Sequence, residues 1–301
     1  MIIDMHAHVY AWPKIRSYRG SPSVPLSAEQ QIEIMDLKGI DKAVILPLCA
    51  PEVPWEPQSS GEILHICEKY PGRFIPFCNM DPRMKANVGE TVVSEFVFHL
   101  EQYKELGFKG VGEFASRIYW DDPRMLVFCE ACQKVGFPIL IHMTVPPVHD
   151  YGVLDDIGLP RMETVLKKFP ELVILGHGAT FWSHISGNCK LAGKTIYDGT
   201  LEGPVEPGGR IVELMRKYPN LWCDLSAGSG YESMTRDLSF TYEFLDEFQD
   251  RLVFGQDYCV ITNDMQHLEW LRQLRDEEKI TVDMFDKITG QNCIRLLKLH
   301  I

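Results

Sequence analysis

His6 and His8 end an apolar opening run, Met1-Ile2-Ile3-Asp4-Met5-His6-Ala7-His8. Ile2 and Ile3 are β-branched and suit a buried strand. Side chains two apart on a strand share a face, so the two imidazoles point the same way. Neutral imidazole is the commonest metal ligand, and two on one face can hold a single ion. A chain that begins at such a site must bring its other ligands from far along the sequence. Glu113, His142, His177 and Asp257 are the candidates, because each closes a later apolar run. Mixed nitrogen and oxygen donors suit zinc and similar cations. Singly, each has a plainer reading: polar histidines at a strand end, a salt-bridge glutamate, an aspartate N-cap. Recurring at one point of successive repeats, they read together as a metal site.

The elements that must position them alternate. After the first strand come apolar, β-rich runs at 42–47, 73–78, 108–113, 138–142, 172–177, 221–225 and 251–257. That makes roughly eight strands, the number a (β/α)₈ barrel needs. Their near-continuous apolar character fits parallel strands covered on both faces. Helical patterns lie between them. Ser27 is a candidate N-cap with Gln30 as its capping-box partner, and Gly39, Gly107 and Gly136 fall where left-handed C-caps belong. No low-complexity linker interrupts the series, so residues 1–301 are read as a single TIM-barrel domain. Two loops exceed what a bare barrel requires, one from about Val9 to Pro25 and one from His177 to about Gly209. Both follow strands, on the side where barrel enzymes keep their sites, and are expected to form lids or walls.

Composition narrows the partners. Forty-two acidic and 30 basic side chains give a net charge of −12, which repels phosphate backbones and argues against nucleic acid. The 9 cysteines are odd in number and scattered, as reduced cytoplasmic thiols are. Cys129 and Cys132 fall inside a helical pattern and are read as apolar helix residues. No export signal or membrane span is expected. The partner is then a small molecule, and a homo-oligomer is left open.

The ordered motifs resemble the amidohydrolase superfamily, specifically its amidohydrolase-2 branch, which includes aminocarboxymuconate-semialdehyde decarboxylase and related enzymes. The resemblance spans the chain and rests on Ile3-Asp4-Met5-His6-Ala7-His8, Pro138-Ile139-Leu140-Ile141-His142, Gly176-His177-Gly178 and Phe254-Gly255-Gln256-Asp257-Tyr258. It implies that His6, His8, His142 and Asp257 bind metal. It implies that His177 binds a second metal or acts on substrate and water. Gly110-Val111-Gly112-Glu113-Phe114 departs from the plain decarboxylase pattern and is similar instead to metal-dependent hydrolases, including TatD-like nucleases, in which this Glu contacts or bridges metals.

The expected activity is metal-dependent hydrolysis of a small amide, lactone or ester, with a carboxylate on the substrate. Asp257 and His177 would be catalytic, and Zn²⁺, as one or two ions, would be the cofactor, with Mn²⁺, Fe²⁺ or Co²⁺ suiting the same donors. Two alternatives stand beside it: a metal-dependent decarboxylase of an unsaturated or aromatic acid, and a non-catalytic metal-binding barrel. Arg117, Arg236 and Trp182 are weaker candidates for substrate contact, and His184 for the pocket wall. His149 follows Pro146-Pro147 in a loop and is expected to face solvent, and His65, His99, His267 and His300 lie in helical patterns with no ligand spacing among them.

Overall fold

The computed structural model describes residues 1–83, 92–146, 150–189 and 203–300. Among the described residues there are nine strands: β1 (Ile3–Ala7), β2 (Lys42–Ile45), β3 (Phe74–Pro76), β4 (Val111–Phe114), β5 (Ile139–Thr144), β6 (Val153–Leu154), β7 (Ile174–His177), β8 (Leu221–Asp224) and β9 (Leu252–Val253). All pairings are parallel, in the orders β1-β2-β3 and β4-β5-β7-β8-β9, with β6 set against the end of β5. Hydrogen bonds bridge both seams between these sheets. Cys78 N–H donates to Gly110 O and Gly112 N–H to Cys78 O, each at 3.0 Å; Met5 N–H donates to Phe254 O and Asp257 N–H to His6 O, each at 2.9 Å. The ring is a TIM barrel with the expected repeat.

Its interior is filled by Ile3, Met5, Val44, Leu46, Ile75, Phe77, Leu140, Leu175, Trp222 and Val253. Each such side chain contributes roughly 1.5–3 kcal/mol by leaving water. Cys293 and Leu297 of the last helix (Asn292–Leu297) join this cluster. A larger apolar layer, including Ala7, Val9, Val111, Phe114, Ile139, Ile141, Ile174, Leu221 and Cys223, seats the strands against the helices.

Comparing the two layers shows how the strands aim their ends. On β5, β7 and β8, simple alternation sends His142, His177 and Asp224 inward, next after Leu140, Leu175 and Trp222. β1 and β4 do not alternate simply. Ile3 and Met5 pack inside, yet Ala7 and Val9 pack outside, and the register of β1 shifts between Asp4 and Ala7. β4 shifts likewise between Val111 and Phe114, both of which pack outside. Each irregularity changes the parity of its strand, as a bulge does. The result turns His6, His8 and Glu113 inward.

Local signals behave as the sequence predicts. The first helix (Ala28–Lys38) opens with the Ser27–Gln30 capping box, and Gly39 and Gly136 cap their helices with φ of 69° and 79°. Cys129 and Cys132 are buried on the helix Pro123–Val135. Two expectations need correction. β6 was not foreseen, and the run 251–257 forms a strand only at Leu252–Val253. Beyond it Asp257 has a positive φ of 60°, so the chain leaves the extended region just where it presents that carboxylate. Part of the 177–209 loop, residues 190–202, and His149 lie outside the described residues.

Candidate metal centre

His6, His8, Glu113, His142, His177 and Asp257 meet at the C-terminal end of the barrel. Among the described residues, three overlapping groups each bring their donor atoms within 4.8 Å of one another: His6–His8–Glu113, His6–His177–Asp257 and Glu113–His142–His177. All but Asp257 are buried. His142 and His177 are cross-strand neighbours in register on β5 and β7.

The hydrogen bonds fix which ring nitrogens face the centre. His8 Nδ1 lies 2.9 Å from Leu46 O, a carbonyl that can only accept, so Nδ1 carries the proton. His6 Nδ1 lies 2.7 Å from Asp224 Oδ2 and donates in the same way. The two Nε2 atoms face each other at 3.0 Å, each with a lone pair when the ring is neutral. Around them are further acceptors: Glu113 Oε2 at 3.1 Å from His8 Nε2 and 3.7 Å from His6 Nε2, and Asp257 Oδ1 at 3.6 Å from both. Acceptors crowded together favour a positive charge between them, a proton on an imidazole or a metal cation. The same demand pushes the imidazoles up: burial works against the charged form of His6, but Asp257, Asp224 and Glu113 overrule it and raise it well above its ordinary value. For His8 burial is likewise outweighed, chiefly by Glu113.

Glu113 divides its two oxygens. Oε2 faces His8 and His6; Oε1 faces His142 Nδ1 at 2.7 Å and His177 Nε2 at 3.9 Å. Burial pushes its carboxyl up, but His142, His6 and His8 outweigh this and hold it well below the usual carboxylate range. Asp257 divides its oxygens too, with Oδ2 3.7 Å from His177 Nε2. A carboxylate reaching two groups of imidazoles is the arrangement that can bridge a pair of cations. The donor set therefore fits the metal implied by the sequence.

Asp224 was missed by the sequence reading. It is fully buried at the end of β8, and its Oδ2 accepts from His6 Nδ1 and from Ser226 Oγ, each at 2.7 Å; His177 Nδ1 lies 3.1 Å from that oxygen and hydrogen-bonds with Ser226 Oγ at 3.1 Å. Burial alone would raise its pKa, but His6 and His177 overrule it and hold the carboxyl far below its ordinary value. It thereby sets the tautomer of His6 directly and reaches His177 together with Ser226, as carboxylates behind metal-binding histidines do. The available signal was its place at the C-terminal end of the run 221–225.

A cavity of about 130 Å³ adjoins the cluster. Besides the ligand-type residues, its walls include Tyr18, Arg19, Trp55, Glu56, Tyr151 and Asn263. The Val9–Pro25 loop thus forms wall, as expected, through Tyr18 and Arg19. The weaker candidates fare differently. Arg117 is not on this wall; it lines an outer cavity of about 440 Å³ with Arg19, Glu52, Trp55, Asp150 and Tyr151, and donates to Asp150 O. Trp182 is fully buried in the outer apolar layer, with its indole N–H donating to Asp224 O at 3.2 Å. It supports the site from behind. Arg236 follows the helix Ala227–Thr235 and does not line the cavity. His184 is buried against Thr180 O at 2.8 Å and accepts from Gly158 N–H at 3.2 Å, a structural role.

The amidohydrolase family model of the second branch matches residues 3–299. No curated protein matches the chain. Among solved structures, an uncharacterised TIM-barrel protein from Bordetella bronchiseptica superposes with a TM-score of 0.65 at 20% identity, covering 99% of this chain and 98% of that one. A probable 2-pyrone-4,6-dicarboxylic acid hydrolase from Acinetobacter baumannii gives 0.58 at 13%, covering 99% of both. A dihydroxybenzoic acid decarboxylase from Polaromonas sp. JS666, with bound manganese and an inhibitor, gives 0.60 at 16%, covering 99% and 97%. With donors meeting at the barrel rim and a family match over nearly its whole length, this chain belongs to the amidohydrolase-2 family of TIM-barrel enzymes.

Proposed function

We propose that the protein is a metal-dependent hydrolase of a small, carboxylate-bearing amide, lactone or ester. The observation that carries this reading is the divided carboxylate of Glu113, whose oxygens serve two separate groups of imidazoles. His6, His8 and Asp257 would hold one cation and His142 and His177 the other, with Glu113 between them; zinc or manganese suits these donors. Such cations, when bound, polarise a carbonyl and acidify water. Asp257 stands between both groups, so its carboxylate takes the proton of the attacking water and returns it to the leaving nitrogen or oxygen. Water is added across the acyl bond and no other co-reactant is needed. Asp224 keeps the Nδ1 proton of His6, and with Ser226 that of His177, turned away from the reacting atoms. The buried floor limits stray water, and the small cavity sets the size of substrate.

A second reading is non-oxidative decarboxylation of a small unsaturated or aromatic acid. The manganese-bound decarboxylase among the structural matches supports it, as does the aromatic lining of Tyr18, Trp55 and Tyr151. A non-catalytic barrel would need a side chain closing the coordination sphere, whereas a cavity opens beside the cluster. A cytoplasmic setting fits nine cysteines, all free. No helix among the described residues is long and apolar enough to cross a membrane.

The test uses zinc- or manganese-loaded protein in ¹⁸O-labelled water. It is offered a panel of carboxylated lactones, esters and amides and a panel of hydroxybenzoates and unsaturated acids. Hydrolysis places one ¹⁸O in the product and releases no CO₂. Release of CO₂ from the second panel, with no label gained from the first, contradicts the hydrolase reading.

A further inference from the structure

Ala227, Gly228 and Ser229 line the inner cavity in succession, as His177 does. They are the first three residues of the helix Ala227–Thr235. Ala227 has a positive φ of 61°, and its carbonyl accepts from His267 Nε2 at 2.9 Å, which holds the turn. A Cβ on Gly230 would stand 2.2 Å from Leu225 O, so glycine lets this helix begin directly on the end of β8. The helix therefore meets the cavity with its N-terminus. At that end the amide N–H groups lack intrahelical partners and carry a partial positive charge.

Most of those donors are engaged. Ser226 N–H donates to Asp224 Oδ1 at 3.1 Å, Ala227 N–H to Gln256 O at 3.4 Å and Gly230 N–H to Ser226 O at 3.3 Å. The amides of Gly228 and Ser229 have no hydrogen-bond partner among the described residues. The Ser229 side chain is a second, independent sign. Ser229 is only 4% exposed, and its hydroxyl also has no partner among the described residues. That hydroxyl is not sealed inside protein; it opens on the cavity that Ser229 lines. Polar groups on buried residues are normally paired, so an unpaired hydroxyl facing a cavity marks a place for a ligand. Two amides and a hydroxyl from adjacent residues thus stand free at one edge of the cavity.

We propose that the amides of Gly228 and Ser229 and the Ser229 hydroxyl form an anion pocket that holds a carboxylate of the substrate beside the metal floor. Helix N-termini take anions through this combination of free amides and axial dipole. Glu56, Glu113 and Asp257 line the same cavity, so a singly charged carboxylate is favoured over a doubly charged phosphate. The substrate class follows as a short acyl compound whose carboxylate lies close to the scissile bond, because the cavity holds only about 130 Å³. This inference rests on the hydrolase reading above and moves the carboxylate contact expected at Arg117 to the helix end.

Calorimetry on zinc-loaded full-length protein compares α,ω-dicarboxylates from malonate to adipate with the monocarboxylates of matching length. One carboxylate occupies the floor in both, and only the diacid can also reach the helix end. Wild type is expected to prefer the diacid of one length by about 10–100-fold, as hydrogen bonds to a charged group give. Ser229→Ala should cut that preference by roughly tenfold, with metal content and monocarboxylate affinity unchanged. Ser229→Asp should abolish it. An acidic residue is favoured in the first turn of a helix, so this variant folds, and the introduced carboxylate takes the free amides itself. Absence of any preference in wild type, or its persistence in Ser229→Asp, overturns the proposal. So does a Ser229→Ala that keeps the full preference, because the hydroxyl would then hold no carboxylate. The diacid preference without ¹⁸O incorporation removes the reaction and keeps the anion pocket; label incorporation without the preference removes the pocket and keeps the reaction.

Discussion

The floor and the wall of the cavity are built on different terms. The floor is buried apart from Asp257, is carried mostly on strand ends, and three of its imidazoles are held from behind: His6 by Asp224, His177 by Ser226 and His8 by Leu46 O. The wall is carried on loops, is partly exposed, and is held by longer contacts such as Arg19 to Asp150. The floor is organised before any ligand arrives, which is what electrostatic catalysis requires. The wall can exchange partners, which is what selection of a substrate requires. Chemistry and specificity are thus divided between rigid strands and adaptable loops, as barrels generally divide them.

The sharpest way to break this contrast is at the floor. His142→Ala should lower metal content and abolish turnover of every substrate alike, by more than the about 10–100-fold typical of outer-shell partners. The barrel should stay folded and lose only the stability linked to metal. Elemental analysis and thermal unfolding check both parts, and full occupancy with normal turnover would remove His142 from the floor.

One step behind the ligands, Asp224→Asn should cost about 10–100-fold in metal affinity and in kcat/KM. The amide can present N–H where His6 and Ser226 need an acceptor, so His6 and, through Ser226, His177 lose their orientation. A neutral result would mean that the floor is less preorganised than its hydrogen bonds imply.

The smallest effect is expected beneath the floor. Burial, opposed by the backbone N–H groups of His6 and Gln256, raises the Asp4 carboxyl to about 7. Its Oδ2 has no hydrogen-bond partner among the described residues. The unfolded chain ionises from about pH 4 upward while folded Asp4 keeps its proton, so this group's contribution to stability falls between pH 4 and 7. Asp4→Asn keeps an acceptor for both N–H groups and removes that loss. The variant should match wild type near pH 4 and exceed it at pH 8 by an amount of order a few kcal/mol at most. Comparing melting temperatures at each pH cancels the metal linkage the two proteins share. A difference that does not grow with pH would refute the assignment.

The same contrast explains what was legible in the sequence. His6, His8, Glu113, His142, His177 and Asp257 were readable because strands repeat, and a ligand-type residue at the end of each is a pattern. Asp224 obeys that pattern too, one residue before the end of its run, and the structure sets it behind His6 rather than among the ligand-type residues. The parity changes in β1 and β4 were not readable, since bulges leave little trace in a run of apolar residues. Arg19 was seen only as part of a long loop. Arg117, Arg236 and Trp182 were placed by proximity in sequence, which decides little once loops fold back. Trp182 shows the reason: a large ring at a loop start gains more from the apolar layer than from a polar pocket.

If Glu113 would hold two cations together, the number of ions bound must depend on its charge. Wild type and Glu113→Gln are reconstituted with zinc side by side, and bound metal is counted per chain. Glutamine keeps the shape but removes the anion between the two sets of imidazoles. About two ions per chain are expected in wild type, falling toward one in the variant, with hydrolysis lost. One ion per chain in both proteins, with turnover retained, would contradict it.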